Sequence, residues 1–402
     1  KIQLHARRDV LGEEDFERLT SLDIGDLVGV DGAVLRSKRG EISLRVDDFT
    51  LLAKALRPPP DKHGGLADVE TRYRRRELDL ISSDDARRLF IDRAKIIAAV
   101  RRYLDGAGFV EAETPVLQPL YGGALARPFT THHNELDRTF YLRIATELYL
   151  KRLLVGGLER VYELGKDFRN EGVSTKHNPE FTMVEFYEAY ADYEVEARRL
   201  EELVREAAAA ISYEGELDFS APWRRVSFVE SIAEATGIDL TVARDATSLR
   251  AEIQSRGLEL RTEGASWAQL ADDLLSKFVE PTLLQPSFVF DYPVELSPFA
   301  REHRSQPGLV ERWEAFAGAM EIANAFSELN DADAQRERFE AQRRAAESGD
   351  EEAQPYDELF VQALEQGMPP AGGVGVGIDR LVMLLTGRES IREVVLFPAM
   401  RD

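Results

Sequence analysis

Between Arg160 and Tyr193 the chain reads RVYELGKDFRNEGVSTKHNPEFTMVEFYEAYADY. Two extended runs, Val161 to Arg169 and Phe181 to Tyr190, flank a polar loop with Asn170, Gly172, Ser174, His177, Asn178 and Pro179. Those loop residues favour turns, so the stretch predicts two strands joined by a long loop. Side chains alternate along a strand, which puts Phe181, Met183, Glu185 and Tyr187 on one face. A carboxylate and a phenol beside a ring and a thioether make an odd surface for a plain core. Arg169 and Glu171 flank the loop, and Lys176 and His177 follow within it. Such a hairpin suits an anionic, planar ligand, with Arg for phosphate and Phe for a stacked base. On spacing alone, a buried hairpin with solvated loop charges is the plainer reading.

The 402 residues suggest two or three domains rather than one core. The net charge is −22, from 73 acidic and 51 basic residues. That argues against a general nucleic-acid binder, which relies on phosphate neutralisation, but not against a local basic patch. There is no cysteine, which excludes disulfides, thiolate metal sites and a thiol nucleophile and fits a cytosolic protein. No run is long and apolar enough to span a bilayer. KIQLHARRD lacks the apolar middle of a signal peptide. It begins in what reads as a strand, so the expectation is that the natural chain extends further upstream.

Residues 1 to 65 read as short strands at Ile2 to Ala6, Leu27 to Leu35 and Ile42 to Leu56, closed by the Pro-rich linker KALRPPPDK. They resemble the second half of an OB-fold barrel, a module that binds oligonucleotides; any small β-barrel reads much the same. Arg72 to Arg76, RYRRR, is the densest basic cluster, suited to RNA phosphate or to plain solvated charge. Ala86 to Leu104 predicts an amphipathic helix stopped by Gly106 and Gly108, followed by a strand at Phe109 to Glu113. The pair Gly122–Gly123 lets backbone approach a small ligand, and Glu147 is a lone carboxylate in an apolar helical run. His132 and His133 lack metal-ligand spacing and read as structural. Residues 215 to 285 are mostly helical, with no visible chemistry. Asn324, Phe326 and Glu328 fall on one face of a strand. GGVGVGIDRLVMLLTG (372–387) is a glycine-studded strand entering an apolar helix, with Arg380 at the junction. It lacks the GK[ST] of a P-loop and the GxGxxG order of a dinucleotide site. Its glycines let a flat ligand lie against backbone, and Arg380 is placed to meet a phosphate.

These pieces together resemble one family. FRNEG followed by HNPEF is similar to motif 2 of the class II aminoacyl-tRNA synthetases, and TMVEFYEAY narrows the likeness to the lysyl-tRNA synthetases of subclass IIb. GFVEAETPVLQP resembles motif 1, which builds the class II dimer interface. GGVGVGIDRLVMLLTG resembles motif 3, down to the closing IREVVLFPAMRD. The likeness runs over nearly the whole chain. Two departures stand out: Glu77 replaces a usual Tyr, and ANAFSELND carries Ala325 where the family has Gly, a change able to tighten the pocket.

The resemblance implies an α+β fold: a six- or seven-stranded antiparallel class II sheet flanked by helices, preceded by a partial OB-fold. Residues 1–65 would be the anticodon-binding domain and 66–402 the catalytic domain, with a helical insertion at about 215–285. It implies lysine activation by ATP to lysyl-adenylate, then transfer to the 3′ end of tRNA(Lys), in a cytoplasmic homodimer. Arg169 and Arg380 would hold phosphates, with Glu171, His177 and Phe181 completing the ATP site. Gly123, Glu147, Glu185, Tyr187, Asn324, Phe326 and Glu328 would hold lysine, and Glu314 and Glu321 would hold Mg²⁺. Two rivals are a paralogue that lysylates a translation factor and an idle synthetase-like binding protein. The OB remnant argues against the first, and the full set of motif arginines and carboxylates against the second.

Overall fold

A computed structural model describes residues 2–61, 65–347 and 354–400. Two compact units divide the chain, residues 1–88 and 89–402. In the first, strands Gln3–Ala6, Leu27–Arg36 and Ile42–Ala53 form one sheet. Ile42–Ala53 lies in the middle, parallel to the first strand and antiparallel to the second. These strands fit an OB-fold, and among the described residues they do not close into a barrel. The basic cluster is engaged locally: Arg76 is 2% exposed and pairs with Asp79 at 2.8 Å, and Arg72 reaches the same carboxylate at 2.9 Å. The predicted linker runs into Lys62, which falls outside the described residues together with residues 348–353, 401 and 402.

The second unit is built on an eight-stranded sheet. Its strands are β1 (Val110–Glu111), β2 (Arg160–Phe168), β3 (Glu180–Ala189), β4 (Arg224–Ser227), β5 (Ser287–Phe290), β6 (Arg312–Ala317), β7 (Met320–Ser327) and β8 (Ala371–Gly377). The order is β4-β5-β6-β7-β8-β3-β2-β1. The six strands from β5 to β2 are antiparallel throughout. The expected six- or seven-stranded antiparallel sheet is therefore present, with a short parallel strand added at each edge. The strand expected over Phe109 to Glu113 shrinks to two residues, too few for alternation to reveal.

Alternation along β3 separates two environments. Val184 and Phe186 are fully buried against helices α1 (Asp84–Gly106) and α3 (Tyr193–Ala210), in a core shared with Trp313, Val374 and Val376. Phe186 meets Phe109 edge to face at 5.6 Å. Phe181, Met183, Glu185 and Tyr187 point to the other side, where α2 (Glu147–Val155) packs. Ala325 belongs to the helix-side core and has ordinary negative φ, so it does not tighten the pocket as expected. The inserted residues carry helices Phe228–Thr236, Ala246–Ser255 and Trp267–Leu274 around a separate apolar cluster. No helix among the described residues is long and apolar enough to cross a membrane.

Phe186 anchors β3 from behind, so Phe186→Ala is expected to destabilise the unit by ~3–5 kcal/mol through an unfilled cavity. Scanning calorimetry on parent and variant checks this; an unchanged melting temperature would show that β3 is not held by its helix-side face.

Candidate active site

The three central strands set the geometry. Cross-strand register aligns Phe326, Gly373 and Tyr187 in one row and Asn324, Gly375 and Glu185 in the next. The middle position of each row is glycine, so β8 offers bare backbone between two strands with functional side chains. A Cβ on Gly373 would lie 2.0 Å from Glu328 Oε1 and 2.4 Å from the Tyr187 ring. The result is a trough, part of a cavity of about 510 Å³. Its lining gathers Gly123, Glu147, Arg169, Glu171, His177, Phe181, Glu185, Tyr187, Glu321, Asn324, Phe326, Glu328 and Arg380. All but one of the residues that the resemblance implies for ATP, lysine and Mg²⁺ thus meet in one place. The exception, Glu314, lies outside the wall.

One end of the trough is acidic and buried. Glu147, Glu185 and Glu328 are each 5% exposed or less. Tyr187 donates to Glu185 Oε2 at 3.2 Å, and the Thr146 amide reaches Oε1 at 3.4 Å. Burial, reinforced by Asp167 and Glu147, pushes the Glu185 carboxyl up to about 8. Burial likewise raises Glu147 and Glu328, while Lys151 pulls both back. Glu328 Oε1 has no hydrogen-bond partner among the described residues. An unpaired buried carboxylate oxygen is costly, and a cationic ligand is its natural partner. The Gly123 amide donates to Gln354 Oε1 at 3.2 Å, at the edge of this end.

The other end is open and basic. The Arg169 guanidinium lies over the Phe181 ring, 5.0 Å from its centroid. Arg380 donates to Glu321 Oε2 at 2.7 Å and contacts His177 Nε2 at 3.2 Å. A guanidinium only donates, so His177 Nε2 accepts and its proton sits on Nδ1, facing Ser174 Oγ at 2.8 Å. Partial burial, then the Arg380 charge, lower the His177 pKa, which keeps the ring neutral at pH 7. Helix α4 (Ile378–Thr386) begins at the same place. Asp379 in its first turn accepts the Thr182 amide at 2.7 Å and pairs with Arg93 at 2.6 Å. This clamp fixes the neighbouring Arg380 against β3.

Glu314 and Glu321 lie on adjacent strands β6 and β7. Tyr292 donates to Glu314 at 2.8 Å and Arg312 at 2.5 Å. Burial, offset by Arg312 and reinforced by Glu321, pushes Glu314 up to about 7. His132 and His133 sit on an exposed strand, Thr130–His133, away from any such cluster. Sequence reading missed Arg312, which bonds both Asn324 at 2.9 Å and Glu314. It also missed Lys151, whose ammonium lies behind the acidic wall. Each stands next to another charged residue in the sequence, and only the folded structure reveals their partners.

Comparison with known proteins shows the family. The profile of the class II tRNA synthetases (D, K and N) matches residues 68–401. The lysine–tRNA ligase of Chloroflexus aurantiacus is 54% identical over 410 residues, covering all of this chain and 83% of that protein. That of Moorella thermoacetica is 53% identical over 408 residues, covering 83% of its length. That of Staphylococcus aureus is 48% identical over 409 residues, covering 82%. The fold is that of a class II aminoacyl-tRNA synthetase of the D, K and N group. Within that class, the chain belongs to the lysine–tRNA ligase family.

Filling the glycine row should damage one end of the trough selectively. Gly373→Ala is expected to raise the KM for the amino acid roughly ten- to hundredfold in ATP–pyrophosphate exchange, because Glu328 and Tyr187 must move. The KM for ATP should hardly change. Equal effects on both substrates would mean that the two ends are not separate subsites.

Proposed function

We propose that the chain is a lysine–tRNA ligase that recognises lysine by the acidic end of the trough and ATP by the basic end. The observation that carries the lysine assignment is the unpaired Oε1 of Glu328, buried beside Tyr187 and Phe326. A side-chain ammonium satisfies it, whereas the carboxylate or amide of the sister substrates brings the wrong charge or shape. Glu147 and Gly123 lie near the lysine α-amino group in this reading, and Glu185, Tyr187, Asn324 and Phe326 complete the pocket.

The lysine carboxylate attacks the α-phosphorus of ATP in line. The new C–O–P bond gives lysyl-adenylate as the bond to pyrophosphate breaks. A hydroxyl at the tRNA 3′ end then takes the lysyl group and AMP leaves. No protein nucleophile takes part, so the chain contributes positioning and charge. Arg169 and Arg380 hold phosphate oxygens, and neutral His177 supports Arg380. Phe181 stacks on adenine with Glu171 beside it. The family's ATP chemistry implies Mg²⁺. Glu314 and Glu321 fit it as hard oxygen donors on adjacent strands, and among the described residues no group of three or more His, Cys, Asp or Glu offers an all-protein cage. Mg²⁺ takes few carboxylates and fills its shell with phosphate and water, so these two would hold it. When bound, it neutralises charge on the phosphate oxygens.

We assign residues 1–65 to anticodon binding and 66–402 to catalysis; the profile match over 68–401 supports the second. The sheet at residues 3–53 favours tRNA over a translation factor as acceptor. We also propose a cytoplasmic homodimer, supported by exposed apolar side chains on the motif 1 segment, Val110 at 52% and Leu117 at 48%.

ATP–pyrophosphate exchange across the twenty amino acids tests the reading. Lysine should be the substrate, and Glu328→Gln should reduce lysine exchange by roughly a hundredfold or more while ATP still binds. Near-parent exchange by that variant would remove Glu328 from the pocket.

A pH effect follows from Glu185, which at about 8 holds its proton in the empty pocket at pH 7. An arriving ammonium favours the ionised carboxylate, so binding should release up to about one proton. The KM for lysine should then fall as pH rises from 6 towards 8. Titration calorimetry at pH 7 in phosphate and in Tris checks the release; identical heats in the two buffers would defeat it.

A further inference from the structure

Lys151 lies one turn after Glu147 on α2, and its side chain has no exposed surface. Its Nζ is 2.5 Å from Glu147 Oε1 and also pairs with Glu328 Oε2. The ammonium sits 5.4 Å from the ring centroids of both Phe299 and Phe326. Lys151 does not line the cavity, whereas both of its carboxylate partners do. A cation therefore stands immediately behind the acidic wall and shares its acceptors with whatever ligand occupies the front.

The arrangement divides Glu328 between two cations. Oε2 faces Lys151, and Oε1, beside Gly373 and Tyr187, has no hydrogen-bond partner. Without the ammonium, Glu147 and Glu328 would be neighbouring buried carboxylates with no counter-charge, and such groups take up protons rather than stay ionised. A protonated Glu328 is a poor acceptor for an ammonium. The ordinary alternative is that Lys151 is a helix i,i+4 ion pair that serves folding alone.

We propose that Lys151 is a positioning residue for substrate lysine: its ammonium favours the ionised form of Glu328 and occupies one of its oxygens, leaving Oε1 to receive a single incoming ammonium. This deepens the lysine-site reading and rests on it. The pocket then carries a fixed surplus of negative charge matched to one cationic side chain. Burial acts to lower the Lys151 pKa, but Glu147 and Glu328 outweigh it and hold the group charged, in keeping with this role. The titratable groups around the cluster are Glu147 on α2, Glu185 and Tyr187 on β3, Glu328 after β7, and Glu196 on α3 behind the sheet.

The test is pyrophosphate exchange with lysine from pH 6.5 to 8.5 on the parent, Lys151→Met and Lys151→Arg. Lys151→Met should raise the KM for lysine about thirtyfold or more, with the KM for ATP near the parent value. Its lysine KM should fall more steeply with rising pH than the parent's, because a second carboxyl must now lose a proton on binding. Lys151→Arg, which keeps the charge, should keep the parent's pH slope even if its bulk raises KM. A Met variant with the parent's KM and slope overturns the proposal, and so does an Arg variant with the Met slope, which would show that shape matters and charge does not. If the Met variant does not fold, Lys151→Gln, which retains donors without charge, is measured in its place. A parent that does not exchange with lysine defeats the lysine-site reading and this inference with it. A parent that does exchange, beside an unchanged Met variant, defeats this inference alone.

Discussion

The site depends on one strand with nothing on one face. Along β8, Gly373 and Gly375 face the trough while Val374 and Val376 enter the helix-side core. Glycine weakens an isolated strand because it loses more backbone freedom on folding and packs no side chain. Here β8 is hydrogen-bonded on both sides, to β7 and to β3, and its valines anchor it from behind. The ladder and the core together hold a strand that its own composition would not. What this yields is space between Phe326 and Tyr187, and between Asn324 and Glu185, where any larger residue would stand.

Ion pairs fix the pieces around that space. Arg143 is 3% exposed and bonds Glu163 and Asp167 on β2, next to the strand that carries Glu185. It also donates to the carbonyl of Lys166 at 2.9 Å. Desolvation, opposed by Arg143 and Arg169, pushes Asp167 up to about 6. At the opposite end, Glu311 accepts from Ser327 Oγ at 2.6 Å and pairs with Arg304, tying the end of β7 just before Glu328. Buried pairs of this kind contribute little net stability compared with apolar packing, but breaking one strands a charge. Their effect here is to fix where the carboxylates of the trough stand.

The sequence made the local elements legible and the pairings between them only partly so. The hairpin was expected at 161–169 and 181–190 and is found at Arg160–Phe168 and Glu180–Ala189, because its period-2 pattern extends over many residues. The glycine-studded strand and its helix were likewise readable, since side-chain type alone breaks the pattern at Gly377–Ile378. Phe326 and Asn324 were legible as a shared face. What alternation cannot give is the identity of the strand opposite, so the glycine rows emerge only from the register. Arg76 shows the same limit in a helix. It reads as one of a run of exposed arginines, yet Asp79 three residues on and the Tyr73 ring, 5.3 Å away, hold it buried. Resemblance pointed to Glu314 and Glu321, whose spacing alone suggests only surface carboxylates. It offered nothing for Lys151 or Arg312.

Burial differs along the trough, and that difference assigns the two ends different work. Arg380 and Glu321 keep 21% and 37% of their side-chain surface, so their contacts stay open to solvent. Charges in that setting attract broadly and discriminate weakly, since solvent compensates a poor fit. Glu328 and Lys151 keep none. There a ligand lacking the right charge leaves a buried carboxylate oxygen unpaired, which is costly. Under the proposed reading, selectivity belongs to the buried end and general phosphate affinity to the open one. The net charge of −22 does not conflict with an ATP site on this view, because the guanidiniums at the open end act over a few ångströms while the charges on the distant surface are screened.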